Sequence, residues 1–230
     1  MTGRAHVVRR ILLAAVLALL AVLPVQAVSA ESEVAIPPRS SFVVRPATAE
    51  HVALLRQGGL VLYMRHGATD ARFPDRIPVN LDDCDSQRPL TEQGRVQLNM
   101  IGQYFARLNV PFDRVIASPF CRAVESAGRV FGADRVEVDV VLRYTAAMPE
   151  EEKRPAVVRT REWVSRVVGE AGLNRVVVAH GPNMAELMDY MPPEGTMIIF
   201  RPLGEQAGFE YLASIEPPHW PALLRELGLE

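Results

Sequence analysis

Three short, unbroken apolar runs constrain this chain more than any other feature. They are Leu60-Val61-Leu62-Tyr63-Met64, Val115-Ile116-Ala117 after Arg114, and Val176-Val177-Val178-Ala179 after Arg175. Each has strand length without the apolar/polar alternation of a half-exposed strand, so each predicts a strand covered on both faces. The segments between them carry helical spacing. Thr91 can cap a helix whose apolar positions Val96, Met100, Ile101, Tyr104, Phe105 and Leu108 share one face. Ser118-Pro119 opens a second helix, Pro155 to Val168 forms a third, and Asn183 to about Tyr190 a short fourth. Val136 to Val141 alternates as a further strand, and Thr196–Arg201 and Phe209–Ile215 read as an antiparallel finish to the sheet. Strands alternating with helices predict an α/β three-layer sandwich, its mostly parallel sheet flanked by helices.

The apolar runs end in polar residues that recur in one format. Arg65-His66-Gly67 follows the first run, Ser118-Pro119 and then Arg122 the second, and His180-Gly181-Pro182 the third. In open α/β sheets the ligand crevice lies beyond the carboxyl ends of the strands, so two histidines and two arginines from distant segments can converge. That set suits a phosphoryl group. Arginine offers planar, permanently charged donors, and neighbouring arginines keep an imidazole neutral and therefore nucleophilic. Gly67 is expected to let the backbone pass close to substrate. Thr69 either donates to phosphate or shapes the loop. His51 and His219 fall outside these stretches and lack metal-ligand spacing, so they read as surface or packing residues.

The amino-terminal thirty residues follow a different pattern. Arg4, Arg9 and Arg10 precede the apolar run Ile11–Leu23, and Val28-Ser29-Ala30 offers small residues for cleavage. Residues 1–30 therefore read as a Sec-type signal peptide, with an uncleaved anchor as the competing reading, and a periplasmic or secreted location is expected. Residues 31–46, with Pro37, Pro38 and Pro46, read as an extended segment, and 47–230 as one domain. Without the leader's three arginines the remaining chain holds 22 basic residues against 27 acidic ones. A net negative charge makes nucleic acid a poor partner. A small phosphate ester is the expected partner, no membrane span is expected after leader removal, and oligomeric state is left open. Cys84 and Cys121 are the only cysteines. They are either a disulfide or two separate buried thiols.

Four stretches in order resemble the histidine phosphatase superfamily, the phosphoglycerate mutase-like family. They are Leu62-Tyr63-Met64-Arg65-His66-Gly67, Arg88-Pro89-Leu90-Thr91-Glu92-Gln93-Gly94-Arg95, Ala117-Ser118-Pro119-Phe120-Cys121-Arg122-Ala123 and Val177-Val178-Ala179-His180-Gly181. The resemblance implies a phosphoglycerate mutase-like fold, a phosphohistidine at His66, and phosphoryl binding by Arg65, Arg122 and His180. It implies no metal or organic cofactor.

The chain departs from the family pattern where a proton donor is drawn. One branch has a glutamate after the third strand, where this chain has Leu142-Arg143-Tyr144; another has an acid directly after the second histidine, where Gly181 stands. Asp70, Glu150, Glu151, Glu152 and Glu194 are open candidates for the general acid. Glu150-Glu151-Glu152 also reads simply as a solvated helix start. The expected function is an exported phosphomonoester hydrolase. A phosphorylated envelope sugar is favoured by similarity of the Asp83-Cys84-x-x-Gln87-Arg88 and Pro119-x-Cys121-Arg122 stretches to exported relatives. The alternatives are a phosphohistidine (protein) phosphatase, which would need no strong acid, and a non-catalytic phosphate or phosphosugar-binding module.

Overall fold

The computed structural model describes residues 42–146 and 148–230; the expected signal peptide and most of the extended segment lie outside them. Six strands form one sheet: β1 Val61–Arg65, β2 Phe112–Ala117, β3 Val136–Val138, β4 Asn174–Ala179, β5 Met197–Gly204 and β6 Gly208–Ile215, in the spatial order β3-β2-β4-β1-β5-β6. The four strands from β3 to β1 are parallel, while β5 and β6 run antiparallel, the finish expected from the sequence.

Strand periodicity builds two cores. Leu62 and Met64 of β1, Val115 and Ala117 of β2, and Val176 and Val178 of β4 face one layer. That layer holds α1 (Ala49–Gln57), α2 (Glu92–Arg107), α3 (Cys121–Phe131) and α6 (Trp220–Glu226). The alternate residues Val61, Tyr63, Ile116, Val177 and Ala179 face the other, which includes Val164 of α4 (Glu150–Ser165) and Met184 of α5 (Gly181–Met188). Successive side chains of a strand point to opposite faces, so an unbroken apolar run feeds both cores at once.

Several local expectations shift. In α2 the buried stripe is Leu98, Ile101 and Phe105, while Val96 and Met100 are exposed by 52% and 45%. A helix buries one stripe, and Leu98, Ile101 and Phe105 at i, i+3, i+7 spacing occupy its centre. Strand β3 stops at Val138 rather than Val141, because Asp139 turns the chain and accepts from the N–H of Val141. Helix α4 begins at Glu150, not Pro155. Three glutamates in its first turn complement the helix dipole, and Pro155 leaves only one interior carbonyl without its usual donor. Packing also reaches upstream of Ala47. Phe42 stacks on Tyr190 with ring centroids 4.6 Å apart, and Pro46 bridges to Ser214.

Cys84 and Cys121 form a disulfide with Cα atoms 5.7 Å apart. It ties the long loop after β1 to the first residue of α3. Gln87 reinforces this tie, its Oε1 accepting from the Cys121 N–H at 2.9 Å and its Nε2 donating to the Asn80 carbonyl at 3.0 Å. Among the described residues no helix is long and apolar enough to cross a membrane.

Candidate active site

The carboxyl ends of β1, β2 and β4 bring His66, Arg65, Arg122 and His180 together, as their placement in the sequence predicts. The parallel registry makes this unavoidable. Arg65 pairs with Ala179, so the residues that follow each strand, His66 and His180, emerge side by side. Their ring centroids are 5.2 Å apart. Both are buried, at 1% and 0% exposure.

Each histidine is fixed by its surroundings. The Nδ1 of His66 lies 2.9 Å from the Gly67 carbonyl, which can only accept, so Nδ1 carries the hydrogen and Nε2 keeps its lone pair. The Nε2 of His180 lies 2.7 Å from the Ser118 hydroxyl, and its backbone is clamped by the Tyr63 phenol. That phenol donates to the His180 carbonyl at 2.8 Å and accepts from its N–H at 3.0 Å. With Ser118 donating to Nε2, the hydrogen sits on Nδ1, a buried atom with no hydrogen-bond partner among the described residues. His180 and Phe120 also cap the amino termini of α5 and α3, whose positive ends favour anions nearby.

Burial is the main force holding the His66 pKa well below its ordinary value, and the Arg122, Arg65 and Arg88 charges add to it. His180 is pushed down in the same way, by burial first and then by His66 and the arginines. Both imidazoles are therefore neutral at pH 7, which suits a nucleophile at His66 and a hydrogen-bond donor at His180.

The arginines are held from outside the cluster. Arg65 donates to the Pro192 carbonyl at 2.7 Å and lies 3.5 Å from Glu194. The fully buried Arg122 guanidinium packs over Phe120 and Tyr144 and forms a two-pronged pair with Asp75 at 2.8 and 3.2 Å. Burial lowers the pKa of both arginines, and the adjacent carboxylates oppose that shift.

Both glycines stand where a side chain would clash with packed neighbours. A Cβ on Gly67 would meet the Leu98 side chain at 2.6 Å, and one on Gly181 would meet Met191 at 2.7 Å and Arg65 at 3.0 Å. Gly67 thus makes a close core contact with α2. Thr69 shapes the loop: its hydroxyl donates to Glu194 at 2.7 Å and its backbone bridges to Leu90.

Of the five carboxylates left open as proton donors, only Glu194 reaches the cluster, 4.0 Å from His66 Nδ1. Asp70 is tied up with Arg72, which lowers its pKa to about 2 and makes it a poor acid near neutrality. Glu150, Glu151 and Glu152 are exposed on the first turn of α4, where Glu150 faces Lys153. Reasoning from the sequence missed Asp75 and gave Arg88 no role. Asp75 also accepts from the Arg88 N–H at 2.8 Å, joining the loop to Arg122. The signal for both was the two cysteines: a bridge between them brings the loop onto the start of α3.

Fold and site together define an α/β protein with a neutral histidine pair, a buried arginine and a half-buried one at the carboxyl edge of a parallel sheet, an arrangement suited to oxyanion chemistry. Residues 61–143 match the sequence model of the histidine phosphatase superfamily (branch 1). The mitochondrial serine/threonine-protein phosphatase Pgam5 of Drosophila ananassae is 28% identical over 112 residues, covering 46% of this chain. The chain spans about a third (32%) of that relative's length. Among solved structures, the protein histidine phosphatase SixA complexed with tungstate aligns with a TM-score of 0.46 at 22% identity, over 70% of this chain and 98% of that one. A mycobacterial glucosyl-3-phosphoglycerate phosphatase aligns with a TM-score of 0.45 at 18% identity, over 68% and 98%.

Proposed function

We propose that this chain is an exported phosphomonoester hydrolase that forms a phosphohistidine on His66. The observation that carries this reading is the neutral, buried His66, its Nδ1 hydrogen held by the Gly67 carbonyl so that Nε2 presents a lone pair beside two arginines. In the first step Nε2 attacks phosphorus while the bond to the leaving oxygen breaks. Arg65, Arg122 and the His180 Nδ1–H hold the phosphoryl oxygens as their charge redistributes. Water then attacks phosphorus, the N–P bond breaks, and inorganic phosphate leaves.

Two features support export: the leader pattern of residues 1–30, and the Cys84–Cys121 disulfide, a bond that persists in oxidising compartments. For the substrate, the phosphorylated envelope sugar rests on the Asp83-Cys84-x-x-Gln87-Arg88 and Pro119-x-Cys121-Arg122 stretches, which the disulfide and the Gln87–Cys121 hydrogen bond join into one wall of the site. A phosphoprotein or phosphohistidine substrate is the second reading, favoured by the protein-phosphatase name of the Drosophila relative.

A screen of the purified protein against an aryl phosphate, sugar phosphates and a phosphohistidine peptide separates these readings. Turnover of sugar phosphates well above that of the peptide is expected. Preference for the peptide would establish the second reading, and phosphate binding without any turnover would establish a non-catalytic module.

A further inference from the structure

The leaving-group half of the site lacks an acid at both positions where the family pattern places one, and the carboxylates that do reach the cluster differ in where they stand. Glu194 lies on the Nδ1 side of His66, behind the nitrogen that attacks, and its contacts are to Arg65 and Thr69. That suits a positioning residue, which holds Arg65 and orients the His66 ring. Asp75 stands instead on Arg122, occupying with its two oxygens the guanidinium nitrogens that a phosphoryl group would take. Its side chain is 13% exposed and its third contact is the Arg88 N–H. The loop that carries it is pinned to α3 by the disulfide and Gln87, so a side-chain swing, without loop unfolding, clears Arg122.

Resting on the phosphohistidine reading, we propose that Asp75 is the proton donor to the leaving oxygen, held on Arg122 between turnovers. When a phosphate ester arrives, its dianionic phosphoryl group replaces Asp75 on Arg122. The displaced carboxylate, now beside a dianion instead of a cation, takes up a proton from solvent. As the bond from phosphorus to the leaving oxygen breaks and the bond from His66 Nε2 forms, the Asp75 proton passes to that oxygen. In the second step the Asp75 carboxylate takes a proton from the attacking water, the N–P bond breaks, and the protonated Asp75 either donates again or releases its proton to solvent and returns to Arg122. The same residue thus acts as acid and then base, and its resting contact screens a buried cation.

The test compares wild type, Asp75→Asn, Asp75→Glu and Glu194→Gln, each as the full chain, on phosphate esters from nitrophenyl to alkyl, with phosphohistidine measured after quenching in alkaline detergent. For Asp75→Asn the expected loss in kcat grows as the leaving group becomes more basic, reaching about 10²–10⁴ on the alkyl ester. Asp75→Glu recovers part of that dependence, and Glu194→Gln loses a similar factor on every ester. A uniform loss in Asp75→Asn, or a uniform gain because a mere internal plug has been removed, would overturn the proposal. Wild type that forms no phosphohistidine and hydrolyses none of the esters would defeat the underlying hydrolase reading as well, a result distinct from either Asp75 outcome.

Discussion

The two histidines and the Asp75 loop meet at one site but are held in different ways. His66 and His180 follow the central strands β1 and β4 and are locked by backbone bonds, including His66 N–H to the Ala179 carbonyl and the Tyr63 clamp on His180. Asp75 belongs to a loop held by a few backbone bonds, such as Arg76 N–H to the Ser86 carbonyl, together with side chains and one covalent bridge, and its own tie to Arg122 is a side-chain pair. The first region is rigid because moving it would break the sheet. In the second, the Asp75 side chain can exchange partners while the backbone bonds of the loop stay in place. In the hydrolase reading, that difference puts the attacking group on the scaffold and the group to be displaced on the loop.

The largest expected effect breaks the looser region. Removing the disulfide through paired Cys84→Ser and Cys121→Ser changes should lower stability by about 3–4 kcal/mol, from the loop-closure entropy regained by the unfolded chain. Chemical denaturation of the oxidised protein and the double variant measures it. In the hydrolase reading, KM should rise more than kcat falls, because the sheet-borne histidines keep their geometry; an equal collapse of kcat would show that the loop also sets the nucleophile.

Next comes the cation shared by both regions. Arg122→Lys keeps the charge and loses the two-pronged geometry, so kcat/KM for an aryl phosphate should fall about 10²–10³-fold. Steady-state kinetics checks this, and a change below threefold would remove Arg122 from the phosphoryl site.

Acid probes the rigid region alone. Both histidines have folded-state pKa values well below 6.5, so below about pH 6.5 the unfolded chain binds protons that the native state refuses. Stability is therefore full above that pH and drains as pH falls through the window below it, by up to about 1.4 kcal/mol per pH unit for each histidine. Denaturation midpoints from pH 7.5 to 5 measure the slope. By the same reasoning, protonation of the free enzyme's nucleophile should cut activity at a pH below 6.5.

The smallest expected effect sharpens the role of one contact. Ser118→Ala removes the hydroxyl at the His180 Nε2, frees the tautomer, and should cost about tenfold in kcat/KM, equivalent to one hydrogen bond of about 1.4 kcal/mol. Kinetics on an aryl phosphate gives the number, and an unchanged value would mean that burial alone orients the ring.

The same division governs what can be read from the amino-acid sequence. Strands β1, β2 and β4 are legible because burial on both faces leaves an unbroken apolar run, and strand-end residues inherit their position from the strand. That is why His66, Arg65, Arg122 and His180 are found from their places in the sequence. Glu194 is not singled out from the other acids, because its approach depends on the Gly195 N–H bonding the carbonyls of Arg65 and His66, a long-range contact with no local pattern. Asp75 sits in a loop whose place is set by the disulfide and by Gln87, and neither pairing follows from local propensity. Val96 and Met100 fail for a simpler reason: apolar residues covered more of α2 than the core could bury.

The central claim is the nitrogen that attacks. The protein mixed with a phosphate ester labelled on phosphorus, quenched in alkaline detergent within the first turnovers and digested under alkaline conditions, should carry base-stable, acid-labile label on the peptide containing His66. His66→Ala should carry none, with turnover reduced on the order of 10⁴-fold or more. Label on any other peptide, or label and turnover that persist in His66→Ala, would contradict it.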